Sequence, residues 1–545
     1  MLFFLCTLPL WVYGVMCGST GHDDSHITFW QAHTLIEHGQ LLNYNGERLE
    51  QSSSLLLILL TASLAWVTSL SIVTIGYLLA LCGAFATLLI VWKSVKAAGS
   101  TQAWLPTLLT ACTPYFAYWA WSGMETALTA AAALFFIYST YRWLQASDIQ
   151  HAVIAWIAAL FLAAARPEMV VVGTAFLLCA AIFIRQAKIL FLLSAFAVLM
   201  LWRHSYFGLW FPNPVYAKSS GLDFAQVQRG IDYAWRLFRH PLSAIGVTLT
   251  GILFGFSVWK NIQQKSQNTF PLLCTLWVLI YAGFVVTSGG DWMKEGRFWV
   301  PLIAPLWLAI CLADFNKQKH ISFVRYGLLA LLLAYTPLFI QKLSMGTTLW
   351  QHSAQRNITG DKASFFEMAN REHLREWLAL QALQNQLRAM SLSSTKPLTM
   401  MSKQMGMMNY HLFSEFGNKL RVWDMAGLVD NTLRNCTVMA QDGFDKQGLR
   451  INYRKFFERL PQAEQECGLQ APDIIYDIYG WGETTPLPEF LRAQGYTILF
   501  NQTGRINKKP GLDITAQEVV AIKTSTLNGA DIKTISVDFN QLLAQ

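Results

Sequence analysis

Two adjacent carboxylates, Asp23 and Asp24, follow an apolar run at the N-terminus, in the stretch Gly21-His22-Asp23-Asp24-Ser25-His26. Paired acids at a membrane boundary are costly unless they are solvated, paired or used. Such a carboxylate can cap the helix that follows it or take a proton from an attacking hydroxyl. Four further polar clusters interrupt apolar runs: Trp121-Ser122-Gly123-Met124-Glu125, Arg166-Pro167-Glu168, Pro212-Asn213-Pro214-Val215-Tyr216-Ala217-Lys218, and Ser288-Gly289-Gly290-Asp291-Trp292-Met293 with Arg297 close behind. Singly, each has a plainer reading. Asp24 is a cap, Arg166 and Lys218 are snorkelling side chains, and Trp121 and Trp292 are interface anchors. Together, acids mixed with Arg and Lys at a membrane boundary suit a lipid-linked phosphate donor and a hydroxyl acceptor. The cations hold phosphate, and a carboxylate receives the acceptor proton.

The elements that position these clusters are apolar. The chain has 545 residues, 53% hydrophobic and only 14% charged, against about 25% charged in soluble domains. That excludes a single soluble enzyme and a disordered protein. The net charge is +8. Up to Gln341 there are 19 basic and 13 acidic residues; from Lys342 onward there are 22 and 20. The surplus therefore sits among the apolar stretches, where it fixes membrane orientation rather than binding nucleic acid. Eleven runs have the length and composition of transmembrane helices: about 1–17, 72–92, 103–119, 124–141, 152–166, 168–184, 189–207, 244–260, 270–288, 298–313 and 322–341. The first lacks a basic leader and a clean cleavage site, so it reads as an anchor rather than a signal peptide.

With the N-terminus cytoplasmic, the inner loops hold Lys93, Lys96, Arg142, Arg185, Lys188, Lys260, Lys265, Lys317, Lys319 and Arg325. Their only acids are Asp148 and Asp314. Ten cations against two acids on the inner side agree with the positive-inside rule, and all five polar clusters then face outward. The expected layout is a polytopic helical membrane domain over 1–341, with long outer loops at 18–71 and 208–243, and an extracytoplasmic α/β domain over 342–545. In the first loop, 25–38 reads as a helix on the membrane surface, and 53–67 as an apolar segment dipping into the interface. In the polar third, 374–390 reads as a helix, and 397–401, 420–423, 473–476, 497–500 and 519–523 read as strands. Seven of the nine cysteines lie in or beside apolar segments, and no pair has Cys-x-x-Cys spacing. Only Cys436 and Cys467 lie in the polar third, where a disulfide is open to them.

The run Asp23-Asp24-Ser25-His26-Ile27-Thr28-Phe29, then Gly39, Asn45 and Gly46-Glu47-Arg48-Leu49-Glu50, resembles the first outer loop of bacterial GT-C glycosyltransferases, polytopic enzymes that use polyprenyl-phosphate sugars. Within them the chain is most similar to the cell-wall and pilin arabinofuranosyltransferase-like branch. Ser122-Gly123-Met124-Glu125-Thr126, Arg166-Pro167-Glu168, Pro212-Asn213 with Lys218, and Gly289-Gly290-Asp291-Trp292-Met293 with Arg297-Phe298 match that branch in order. So do Gly406, Tyr410 and Asp424-Met425-Ala426-Gly427-Leu428-Val429-Asp430 in the polar third. Two stretches depart from it. Trp30-Gln31-Ala32-His33 stands where the branch has Arg and Tyr, and Gln51-Ser52-Ser53 stands where it tends to Gly-Tyr-Thr or Gly-Tyr-Ser.

The resemblance implies an enzyme of the bacterial inner membrane and an inverting single displacement. A sugar, a pentofuranose in that branch, passes from polyprenyl phosphate to an extracytoplasmic glycan or protein acceptor. It implies Asp23 as the base, with Asp24 the second choice. Arg166, Lys218 and Arg297 would hold the donor phosphate, while Glu125, Glu168 and Asp291 orient sugar hydroxyls or those cations. His26, Glu47, Arg48 and Asn213 belong to the matched motifs and are expected to contact substrate. No cofactor is expected. A divalent metal could sit between acids and phosphate, but no ligand set stands out in the sequence. Nucleotide-sugar machinery is not visible either, neither Asp-x-Asp on the cytoplasmic side nor a phosphate-cradling Gly-rich loop. The rivals are a transporter or flippase of lipid-linked glycans, which would place charges near the bilayer midplane, and a glycan polymerase or ligase.

Overall fold

The computed structural model describes residues 1–17, 23–100, 102–218, 223–263, 269–291, 293, 295–313, 324–333, 335, 371–390, 392, 395–445, 448–449, 451–479, 487–503, 505–509, 512–515, 517–527 and 535–538. Gly21, His22, Trp292, Lys265, Asp314, Lys317 and Lys319, named above, lie outside them, as does most of the last expected span.

Every regular element described in the apolar half is a helix. It opens with α1 (Leu2–Cys17), α2 (Ser25–His38), α3 (Leu55–Thr68) and α4 (Ile72–Ala97). Then come α5 (Trp104–Cys112), α6 (Pro114–Ala120), α7 (Thr126–Ala146), α8 (Ile149–Ala165) and α9 (Glu168–Ile184). The rest are α10 (Leu193–Phe207), α11 (Asn213–Lys218), α12 (Phe224–Trp235), α13 (Pro241–Gln263), α14 (Thr269–Thr287) and α15 (Val300–Leu312). A shorter apolar helix, α16, covers Val324–Leu333. By length and composition, four described helices are long and apolar enough to cross a membrane: Ile72–Ala97, Ala187–Phe207, Pro241–Gln263 and Thr269–Thr287. The run expected as one span over 103–119 is two helices. Thr113 is extended (φ −71°, ψ 114°) and Pro114 starts the next helix. The residue before a proline is pushed out of the helical region, while Pro itself suits a first turn.

The helix expected at 25–38 is present, ended by Gly39 in the left-handed region (φ 66°). It does not lie open on a surface. Nine of its residues, from Ser25 to Ala32 and Thr34, are buried, because α3, α4, the 49–52 segment and the polar third of the chain all pack on it.

That third carries a six-stranded mixed sheet. Its strands are β1 (Leu398–Ser402), β2 (Leu420–Asp424), β5 (Ile474–Tyr479), β6 (Tyr496–Thr503), β9 (Gln517–Lys523) and β10 (Ile535–Asp538). The short pairs β3 (Phe444–Asp445) with β4 (Gly448–Leu449), and β7 (Arg505–Lys509) with β8 (Leu512–Thr515), stand apart. The sheet order is β10-β6-β9-β5-β1-β2. β1 pairs in parallel with β2 and β5, and β10 with β6, while β9 runs antiparallel to both neighbours. Two helices, α17 (Arg371–Ala389) and α18 (Met407–Phe416), join this sheet to α2. The opposite face packs on a helix at Tyr453–Cys467. Cys436 and Cys467 form a disulfide there, with Cα atoms 5.7 Å apart.

β2 is an edge strand, and an unpaired edge must be blunted. Asn45 of the first loop does this. Its side-chain amide donates to the Val422 carbonyl at 2.9 Å and accepts from the Val422 N–H at 2.8 Å. It also donates to Asp430 at 3.0 Å. The loop is fixed from below by Glu50. Its carboxylate meets the guanidinium of Arg203 on α10 at 2.6 and 3.1 Å, and both side chains are fully buried. Bidentate geometry of this kind helps offset the cost of burying both charges.

Candidate active site

Asp23 and Asp24 are consecutive and point to different neighbours. The Asp23 carboxylate accepts the backbone N–H of Gly406 at 3.0 Å and of Met407 at 2.6 Å. These N–H groups open α18, so the negative charge meets a helix N-terminus. Position 406 must be glycine for this approach, since a Cβ there would lie 1.8 Å from the Asp23 carbonyl oxygen. Burial, then the charge of Asp24, raises the Asp23 carboxyl to about 7, although both N–H donors pull it down. Asp24 is different. Its backbone is helical (φ −56°, ψ −22°) and its side chain makes no capping bond. The cap reading therefore does not describe it. It lines a cavity instead.

The cavity has a volume of about 370 Å³. The first loop, the α6–α7 and α8–α9 junctions, α11, α12 and the segment after α14 enclose it, with Leu428 from the polar third overhead. Seven of the residues expected at the site line it: Asp24, Glu125, Arg166, Glu168, Lys218, Asp291 and Arg297. They come from five separate segments, which agrees with the sequence clusters meeting at one end of the bundle.

Their pairing is uneven. Arg166 is shared between Glu125 and Glu168. Arg297 pairs with Asp291 at 2.6 Å. The ring of Phe298 lies between the two guanidinium groups, 5.2 Å from that of Arg166 and 5.4 Å from that of Arg297. Gly290, in the left-handed region (φ 65°), lets the segment before Asp291 turn against Tyr233, whose side chain would meet any Cβ at 2.4 Å. Two charges remain. Among the described residues neither Asp24 nor Lys218 has a hydrogen bond or salt bridge from its charged group. Burial raises the Asp24 carboxyl, and the charges of Lys218 and Arg297 oppose the shift. Burial lowers the Lys218 ammonium, and Asp24 opposes that. The cavity thus presents one unpaired acid and one unpaired cation that sense each other.

Four expected contact residues lie elsewhere. His26 is buried, with its ring 5.6 Å from that of Tyr410 and 5.3 Å from that of Phe29. Glu47 accepts from Asn43 at 3.1 Å and faces Arg421 at 3.7 Å. Arg48 donates to Gln40 at 3.2 Å and lies over Tyr206. Asn213 donates to the carbonyls of Gly427 and Leu428 at 3.0 and 2.9 Å. They hold the loops and the polar third together. Asp424 does the same within its own motif. Its carboxylate accepts the N–H groups of Ala426 (2.6 Å), Leu428 (2.5 Å) and Val429 (2.8 Å), which sets Leu428 over the cavity. Burial lifts this carboxyl to about 7 against those three donors.

The stretch Gln51-Ser52-Ser53, which departs from the branch pattern, was expected near donor or acceptor, and all three residues line the cavity; Gln226, which lines it too, was not expected there. Gln226 had no signal beyond being a polar position on an amphipathic helix. Among the described residues, no group of three or more His, Cys, Asp or Glu is placed to hold a metal ion.

No protein-family model matches the sequence, and no curated protein matches it. The fold has known counterparts. ArnT from Cupriavidus metallidurans bound to undecaprenyl phosphate superposes with a TM-score of 0.54 at 13% identity, over 97% of this chain and 99% of that one. The apo state of the same protein gives 0.50 at 12% identity, over 96% and 98%. These are GT-C glycosyltransferase structures, so the mostly helical, GT-C-like fold that the resemblance implied has solved counterparts, while the arabinofuranosyltransferase-like branch and the eleven spans are not shown by them. At that identity the likeness is one of fold.

Proposed function

We propose that this protein is a membrane glycosyltransferase that moves one sugar from a polyprenyl-phosphate donor to a hydroxyl acceptor, with Asp24 as general base and Lys218 as the main phosphate ligand. The observation that carries the reading is the pair of uncompensated charges, Asp24 and Lys218, on one cavity whose other charges are already matched. Asp24 takes the acceptor proton. The acceptor oxygen attacks the anomeric carbon, the bond from that carbon to the phosphate oxygen breaks, and the electron pair leaves on the phosphate. Lys218 then neutralises the charge that develops on it, helped by Arg297. Arg166, held by two glutamates, positions Glu125 and Glu168 toward sugar hydroxyls. The base assignment therefore moves from Asp23, which is spent on α18, to its neighbour.

The undecaprenyl phosphate of the ArnT structure named above supports a lipid-phosphate donor. The extracytoplasmic placement of the site rests on the loop charges and on the Cys436–Cys467 disulfide, a bond that persists in oxidising compartments. The pentofuranose reading rests on the sequence resemblance to the arabinofuranosyltransferase-like branch, and so do the glycan or protein acceptor and the inner-membrane setting. The test is purified protein with undecaprenyl-phosphate-linked arabinofuranose, ribofuranose, mannose and glucose, scored for carrier release and product. Transfer of one of them is expected. Binding of these donors with no transfer to any acceptor, together with their movement across a vesicle membrane, would replace the enzyme with a transporter.

A further inference from the structure

The cavity wall carries Gln51, Ser52 and Ser53, on a strip that is held from Glu50 to Ser52 and again at Ser54. Glu50 is held by Arg203. The Gln51 Nε2 donates to the Ile27 carbonyl at 2.9 Å. The Ser52 N–H donates to Gln31 Oε1 at 3.1 Å, and its hydroxyl shares a 2.7 Å bond with Thr28. The Ser54 N–H donates back to the Ser52 hydroxyl at 3.1 Å. Gln51 is 1% exposed, lines the cavity and has an Oε1 with no partner. Its amide cannot be turned around, because the Ile27 carbonyl accepts only from an N–H. The unspent group is therefore an acceptor. Gln226, on α12, also lines the cavity, and its Oε1 is likewise buried without a partner. A buried acceptor left unmatched costs free energy, and the arrangement is relieved by a ligand that brings donors.

We infer that Gln51, seconded by Gln226, is the specificity-determining residue for the transferred sugar, accepting a hydrogen bond from one of its hydroxyl groups. This rests on the glycosyltransferase reading above and deepens it. The phosphate is matched by Lys218 and Arg297, which are donors, so neither glutamine oxygen serves the carrier. Gln51 also stands where the chain departs from the Gly-Tyr-Thr or Gly-Tyr-Ser of the branch it resembles. The sugar selected here is then not fixed by that resemblance. A site built to bond a hydroxyl rejects the analogue that lacks it far more strongly than an apolar pocket rejects a methylene.

The experiment compares bare undecaprenyl phosphate with the undecaprenyl-phosphate sugar that wild type uses best and with its monodeoxy analogues. Gln51→Met keeps the length of the side chain and removes the acceptor. Gln226→Met does the same from α12 without touching the strip. Both variants should bind bare undecaprenyl phosphate as wild type does. Gln51→Met should lose roughly 10–100-fold in kcat/KM for the intact donor. It should also stop discriminating against one monodeoxy analogue that wild type rejects. Gln226→Met should lose less, with a different analogue affected or none. Equal losses for bare and sugar-loaded carrier, or unchanged discrimination among the analogues in both variants, would overturn the inference while leaving the enzyme reading intact. Failure of wild type to bind undecaprenyl phosphate at all would sink the enzyme reading, and this one with it.

Discussion

Asp23 is tied to the backbone of the polar third while Asp24, one peptide bond on, lines the cavity, and the proposed reaction gives the chemical task to the second alone. Asp24→Asn should fold normally, bind donor and lose about 10²–10⁴ in turnover, the usual cost of removing a general base. Asp23→Asn should keep most turnover per folded molecule but lose stability of about 1–3 kcal/mol, because Gly406 and Met407 donate to different carboxylate oxygens and one of these becomes an NH2 that cannot accept. Thermal melting and sugar transfer measured on the same preparations check both. If Asp24→Asn is near normal and Asp23→Asn is dead, the assignment reverses. The pH profile should be a bell. Asp24 must be ionised to act, and burial raises its pKa, so the acid limb should lie above the ordinary carboxylate range. Lys218 must be protonated, and burial lowers its pKa, so donor KM should rise on the alkaline side below the usual lysine value. Lys218→Arg should move that alkaline limb out of range while leaving the acid limb in place. The charged residues of the site were legible in the sequence, since acids and cations seldom interrupt apolar runs without cause. Which aspartate faces the cavity was not legible. That depends on the N–H groups of Gly406 and Met407, 383 and 384 residues away.

The elements follow local rules where those rules are strong. All five expected strands are present, shifted by at most three residues at an end, because apolar runs bounded by turns specify them. β10 was missed, although Ile535 and Val537 alternate, since it is only four residues long. The expected helix over 103–119 failed at Pro114, a local breaker that hydropathy alone does not register. The burial of α2 was illegible for another reason. Its polar residues, among them Gln31 and Thr28, bond to the 49–52 strip rather than to water. Gly406 is the element-scale test. Gly406→Ala should disrupt the seating of α18 on the first loop more than any change within α18, since the clash is with backbone. Limited proteolysis should then release the polar third, while the helical half stays intact. An unchanged digestion pattern would show that this contact does not hold the two parts together.

At the scale of the whole chain, the disulfide and the loop charges predict one orientation. A reporter active only outside the cytoplasm, fused after Gln545, should be active, and Cys436 and Cys467 should resist alkylation in intact cells until reduced. A cytoplasm-only reporter active at that position would turn the site inward. Cys436→Ser should cost about 2–4 kcal/mol in the polar third and leave carrier binding in place, because the bond lies on the sheet face away from α2. The Glu50–Arg203 pair has a consequence in time. At about 5–20 residues per second of synthesis, the 153 residues between the partners take roughly 8–30 s to make. The N–H groups that seat Asp23 arrive only after roughly 20–80 s, given the 383 residues that separate it from Gly406. Through that interval the Asp23 carboxylate lacks the two N–H donors that seat it. A chain stopped before Gly406 leaves the Asp23 carboxylate without its seat, and is expected to offer the first loop to quality-control proteases.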